Sequence, residues 1–179
     1  MRATISPLIA KMRASPTPIV VAVNGPAAGA GVGVALAGDI VLAARSARFV
    51  LSFAKLGAVL DGGTSLFLQR AIGVARARAL ALTGEALAAA TAADWGLIYK
   101  CVDDEVLFDE AMLMAERLAA GPPLALSVIK SQLESAWTAP LDAALEQEAA
   151  LQSQAFATDD LKEGAAAFRE KRAPRFVGR

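Results

Sequence analysis

The sequence predicts an α/β fold whose last third is almost wholly helical, and three observations carry that reading. Two runs rich in β-branched residues, Ile19-Val20-Val21-Ala22-Val23 and Ile40-Val41-Leu42-Ala43-Ala44, have the length and composition of buried strands. Between them, Gly29 to Leu36 is a stretch of small and apolar residues suited to a helix. The order strand, glycine turn, helix, strand is a β-α-β unit. From Glu105 onward, apolar residues recur every three or four positions, which is the helical period.

Each element follows in order. Ser6 to Ala14 places Leu8, Ile9 and Met12 at helical spacing, and Ser15-Pro16-Thr17-Pro18 ends that helix. Pro18 and Asn24-Gly25 bound the first strand, which is expected to be buried on both faces. Phe49-Val50-Leu51 and Leu56 to Leu60 are expected to be short extended pieces. Asp61-Gly62-Gly63-Thr64 is a turn that opens a helix. Helices over Thr64 to Ala71 and Val74 to Leu82 are separated by Gly73; Thr91 to Trp95 is a short helix and Ile98 to Val102 a final strand. Helices then run over Glu105 to Ala119, Pro122 to Ala136, Pro140 to Ala155 and Asp159 to Lys171. There is no internal repeat, and a soft boundary near Gly121 separates a core, residues 1–121, from a helical region, residues 122–179. The helical region has little apolar material to cover it unless it packs on other subunits.

Composition narrows the chemistry. A chain of 179 residues supports one domain with a real core. No apolar run reaches the roughly 20 residues of a membrane span, and Met1-Arg2-Ala3-Thr4-Ile5-Ser6 lacks the apolar block of a signal peptide. Cys101 is the single cysteine, so no internal disulfide forms and the cytoplasm is the expected location. Lys plus Arg (18) balance Asp plus Glu (18), which argues against nucleic acid or anionic lipid as a partner. The absence of histidine removes the commonest general base, the commonest metal ligand and every His-dependent triad. Carboxylates and backbone dipoles are what remain.

Two features could use them. Gly29-Ala30-Gly31, in a turn running from Asn24-Gly25-Pro26-Ala27-Ala28 into a helix, leaves the first helical amides free to hold an oxyanion or a phosphate. The same glycines would serve equally for close helix-sheet packing. Asp61, after Ala58-Val59-Leu60 and before two glycines, is placed for the mouth of a cleft, where a carboxylate acts as a base; alternatively it caps the helix at Thr64. The remaining features are blander. Asp39 is expected to shape the turn after Gly38, and Trp95 and Trp137 to pack. Arg169-Glu170-Lys171-Arg172 with Arg175 is a solvated helix end, or reaches a ligand phosphate across a subunit boundary.

Pro18-Ile19-Val20-Val21-Ala22-Val23-Asn24-Gly25, followed by Gly29-Ala30-Gly31 and Gly38-Asp39-Ile40, closely resembles the crotonase, or enoyl-CoA hydratase/isomerase, family. The resemblance continues through Arg48-Phe49, Asp61-Gly62-Gly63-Thr64-Ser65, Leu82-Thr83-Gly84-Glu85, Ala92-Ala93-Asp94-Trp95-Gly96-Leu97 and Glu163-Gly164-Ala165 to Phe168, essentially the whole chain. It implies a β-β-α superhelix with a C-terminal helical region that makes homotrimers, often paired into hexamers. It also implies a coenzyme A thioester as substrate, with no metal or redox cofactor. The thioester oxygen would lie against the backbone N–H of Ala30, with substrate contacts at Pro26, Gly29, Gly31, Phe53 and Gly62. Family hydratases carry two glutamates, and the matching positions here are Gly33 and Phe53. Asp61 falls where epoxyphenylacetyl-CoA isomerase-like members carry their catalytic aspartate. The resemblance also implies several dozen residues before the Pro18 strand, supplying the second oxyanion amide; none are recognisable here, and the chain is expected to be N-terminally truncated. Three readings follow: an acyl-CoA isomerase that shifts a double bond or opens a ring epoxide, a hydratase, or an inactive oligomeric relative.

Overall fold

The computed structural model describes residues 3–179. Contacts divide the chain into two compact units: Ile19–Met114 with the N-terminal residues through Ser15, and Ala115–Arg179 with Pro16–Pro18.

The first unit is built from β-β-α turns. After α1 (Ile5–Ala14), the elements β1 (Val20–Val23), β2 (Pro26–Ala28) and α2 (Ala30–Leu36) make one turn, and β3 (Ile40–Ala44), β4 (Arg48–Val50) and α3 (Thr64–Thr83) make the next. The turns stack by parallel pairing, with Val20 opposite Ile40 in one sheet and Pro26 opposite Arg48 in the other. β5 (Ala86–Ala88) closes the second sheet antiparallel to β4; α4 (Ala89–Asp94) follows, and β6 (Lys100–Val102) completes the order β1-β3-β6 in the first sheet. The result is the expected α/β superhelix, whose repetition lies in the backbone and not in the sequence.

The core gathers where the two turns meet. Val32 of α2, Leu42 of β3, Leu51 just after β4, and Leu68 of α3 are almost wholly buried and belong to one apolar cluster with Phe49 and Phe53. β3, flanked by a strand on each side, is covered as expected of a central strand. β1 is not buried on both faces: among the described residues it pairs with β3 alone, and Ala22 is exposed.

Other departures have local causes. β2 and β5 were not expected, because Pro26-Ala27-Ala28 and Ala86-Leu87-Ala88 are short and rich in a helix-favouring residue; pairing with β4 makes them strands. Leu56 to Leu60 is not extended. A 3-10 turn at Ala54–Leu56 ends on Gly57, whose left-handed φ of 68° sends the chain outward and leaves Leu56 and Val59 exposed. Gly73 (φ 75°, ψ 165°) breaks α3, as its position between two apolar stretches indicates.

Asp39 joins α2 to β3. Its carboxylate accepts from Ile19 N at 2.7 Å and faces Arg13 Nη1 at 3.5 Å, while its own N–H donates to Ile19 O at 2.9 Å. Asp39→Ala strands the Ile19 amide, and urea unfolding is expected to register a loss of about 1–3 kcal/mol; an unchanged midpoint would show the tie to be idle.

The second unit is helical. The division falls within α5 (Leu107–Ala119), after which come α6 (Pro123–Ala136), α7 (Leu141–Phe156) and α8 (Asp159–Glu170). Pro123 begins α6 at a position where its missing N–H costs nothing, and Thr158 Oγ1 caps α8 by accepting from Leu161 N at 3.2 Å. α6 and α7 bury no residue, and Leu133, Leu141 and Phe156 are each at least 60% exposed. Trp137, expected to pack, is also exposed, because it sits at the C-cap where the chain leaves α6. No single helix among the described residues is long and apolar enough to cross a membrane.

The basic stretch at the end of α8 is exposed, as expected of a solvated helix end, and it also forms a clasp. Arg172 pairs with Glu163 and Glu170, Arg175 N donates to Glu163 at 2.8 Å, and Val177 N and Gly178 N donate to buried Asp160 at 2.7 and 2.9 Å. The Arg172 hydrogen bond, with help from the Arg175 amide, holds the Glu163 carboxyl down to about 2. A depressed value means that the ionised carboxylate favours the folded state. That contribution is complete above the ordinary value near 4.5 and is lost as pH falls through about 2. Carbon NMR titration is expected to show Glu163 ionising near 2 in the native chain and closer to 4.5 in Arg172→Ala.

Candidate functional site

The glycine turn presents its amide through an unusual backbone. Gly29 sits at φ 52° and ψ −125°, which glycine alone adopts easily, and its N–H donates to Val50 O at 3.0 Å, anchoring the turn to the end of β4. Val32 N donates to Gly29 O at 3.0 Å. Neither bond uses the N–H of Ala30, the first residue of α2 and so one of the donors a helix start leaves over. The turn is shorter than expected: β2 occupies Pro26–Ala28, and only Gly29 separates it from α2.

The second component is the turn before α3. Gly62 (φ 56°) and Gly63 (φ 78°) take consecutive left-handed conformations, which explains why two glycines stand there. Thr64, fully buried, donates from both N (3.0 Å) and Oγ1 (2.7 Å) to the main-chain oxygen of Asp61. Capping of this helix therefore falls to the Asp61 carbonyl, and no side chain caps α3. The carboxylate is released from that duty. Its Oδ1 is buried and has no hydrogen-bond partner among the described residues. A buried acceptor left unsatisfied is costly, and such atoms are few in native structures.

The two components meet through Gly62. A Cβ built on Gly62 would lie 3.5 Å from both Ala30 O and Gly33 Cα, and 3.6 Å from Ile5 Cγ2 of α1. The residue beside Asp61 thus abuts the first turn of α2. Phe53 is 7% exposed, and its ring lies 3.8 Å from a Cβ built on Gly29, underneath the turn. Gly31 is exposed with open space around it, and Pro26 is exposed at the start of β2. Leu60, not Asp61, lines a mostly apolar cavity of about 350 Å³, with Leu68, Ala77, Ala81 and Leu82 among the other walls.

Sequence reasoning missed Thr64, Ile5 and the contact between Gly33 and Gly62. The threonine after two glycines was a usable signal for the first; nothing local marks the other two. Trp95 packs as expected against the core, with the Arg76 guanidinium 4.8 Å from its ring centroid.

A superhelix of β-β-α turns thus places the turn that carries Asp61 against the helix start at Ala30, between successive turns. Comparison with known proteins names it: the pattern describing enoyl-CoA hydratase/isomerase matches residues 1–179, and the chain belongs to that family. It is 47% identical over 174 residues to the 1,2-epoxyphenylacetyl-CoA isomerase of Escherichia coli K12, covering 97% of this chain and 66% of that protein. It is 37% identical over 172 residues to the 2,3-dehydroadipyl-CoA hydratase of the same organism, covering 96% and 68%. The crystal structure of an enoyl-CoA hydratase from Polaromonas sp. JS666 superposes with a TM-score of 0.94 at 36% identity, over 98% of this chain and 70% of that one. The chain spans about two thirds of the length of these relatives.

Proposed function

We propose that the chain is an acyl-CoA isomerase in which Asp61 carries the proton and the Ala30 N–H holds the thioester oxygen. The observation that carries this reading is the buried, unpartnered Asp61 Oδ1 in the turn that abuts Ala30. In the forward step the carboxylate takes a proton from the carbon beside the thioester, and the C–H electrons pass into the carbonyl to give an enolate. The Ala30 amide stabilises the charge that develops on the oxygen, a role commonly worth a few kcal/mol per donor. The protonated Asp61 then returns the proton two carbons further along, and the double bond moves without any cofactor or net change in composition. Ring-epoxide opening would start from the same oxygen site.

Positions 33 and 53 support isomerisation over hydration. Gly33 and Phe53 offer no carboxylate to activate water, and each such group is commonly worth about 10²–10⁴-fold. The apolar cavity beside Leu60 suits an acyl chain. The similarity to an epoxyphenylacetyl-CoA isomerase supports the same choice, with phenylacetate breakdown as the metabolic setting. The reading also has the helical region, residues 122–179, join copies into homotrimers or hexamers in the cytoplasm, supported by the exposed apolar side chains of α6 and α7.

The test is a paired assay of the full chain on a β,γ-unsaturated acyl-CoA and on crotonyl-CoA. Double-bond migration is expected to outrun water addition. Faster hydration would replace this reading with the hydratase one, and no turnover of either would favour the inactive oligomer.

A further inference from the structure

Gly33 lies in the interior of α2, and its presence there needs a cause. A glycine inside a helix is less favourable than alanine. Its neighbour Gly31 faces open space, so general close packing does not explain every glycine of this helix. At Gly33 the situation differs: a Cβ there would overlap the Gly62 carbonyl oxygen and lie 2.8 Å from its carbon and 3.0 Å from its Cα. Backbone, not a flexible side-chain tip, fills the space.

On its other side Gly62 meets Ile5 of α1. The turn that carries Asp61 is therefore held between α1 and α2, with one of its walls the missing side chain of position 33. Gly62 is in a left-handed conformation and precedes another, so the turn has no slack to absorb a displacement locally. Any side chain at position 33 moves Gly62, and Asp61 moves with it because the two share a peptide bond. We propose that Gly33 is a positioning residue: by leaving room for the Gly62 carbonyl, it sets the distance between the Asp61 carboxylate and the oxygen site at Ala30. The same contact bars a glutamate from position 33 in this backbone, so the arrangement that positions Asp61 also fixes which reaction the site performs. This inference rests on the acid/base role assigned to Asp61.

The experiment is a double-mutant cycle on the full chain with a β,γ-unsaturated acyl-CoA. Gly33→Ala is expected to lower kcat by about 10²-fold, the usual effect of a misplacement near 1 Å, with little change in KM. In the Asp61→Asn background the same substitution is expected to change kcat by less than about twofold, since residues acting as one unit are not additive. Gly164→Ala, in α8, where a methyl meets only the Phe176 ring at 3.5 Å, is expected to leave kcat unchanged. Should Gly33→Ala fail to fold, Ile5→Ala loosens the turn from the opposite side without a clash. A loss in kcat that vanishes in the Asp61→Asn background is again the expected result. Equal losses in both backgrounds, or none in either variant, would overturn the positioning role while leaving Asp61 as the acid/base. Full turnover by Asp61→Asn alone would overturn both, and so separates the two failures.

Discussion

Asp61→Asn is expected to cut double-bond migration by about 10²–10⁴-fold while leaving the fold intact. The substitution keeps the shape of the side chain and removes its ability to take a proton. Nothing that holds the turn is disturbed, because Thr64 bonds to the main-chain oxygen of Asp61 and not to its carboxylate. Oδ1 has no partner to lose among the described residues. A merely structural role would register as lower stability with normal turnover, so kcat and the urea midpoint are measured together. Full turnover in a folded variant would remove Asp61 from the mechanism.

Ala30→Pro is expected to lower kcat by about 10²–10³-fold, the usual effect of deleting one oxyanion donor. This is a rare position where the backbone N–H can be removed cleanly. Ala30 is the first residue of α2, where proline is tolerated because its missing N–H has no helical partner. The residue before a proline avoids the helical conformation, and Gly29, at φ 52° and ψ −125°, is in the mirror image of the extended conformation that position prefers. Loss of kcat with a retained helical signal by circular dichroism is the expected outcome. Unchanged kcat would show that the oxygen lies elsewhere.

The two predictions also mark what was legible in the sequence. β-branched runs announced β1 and β3, and Gly29 announced the turn between them, because these signals are local. β2 and β5 are made by their partners: three residues such as Pro26-Ala27-Ala28 carry no strand preference until Phe49 and its neighbours lie alongside. Asp61 stood out as a candidate, yet Asp-Gly-Gly-Thr describes a helix cap just as well as a free carboxylate. What separates the two is whether carbonyl or carboxylate receives the Thr64 donors, a matter of three-dimensional geometry. The contact between Gly33 and Gly62 spans two β-β-α turns, and a glycine in a helix does not state what lies against it. The exposed Trp137 erred for the opposite reason: its size argues for packing, but its place at a helix end decides.

The central claim is that this site removes a proton beside a thioester and holds the resulting enolate, whatever double bond follows. It is tested most directly with a saturated acyl-CoA, butanoyl-CoA, incubated with the full chain in deuterium oxide and followed by mass spectrometry. The account predicts deuterium entering at the carbon beside the thioester with the native chain, and incorporation near the uncatalysed level with Asp61→Asn and with Ala30→Pro. Incorporation by Asp61→Asn at the native rate, or none by the native chain, would contradict it.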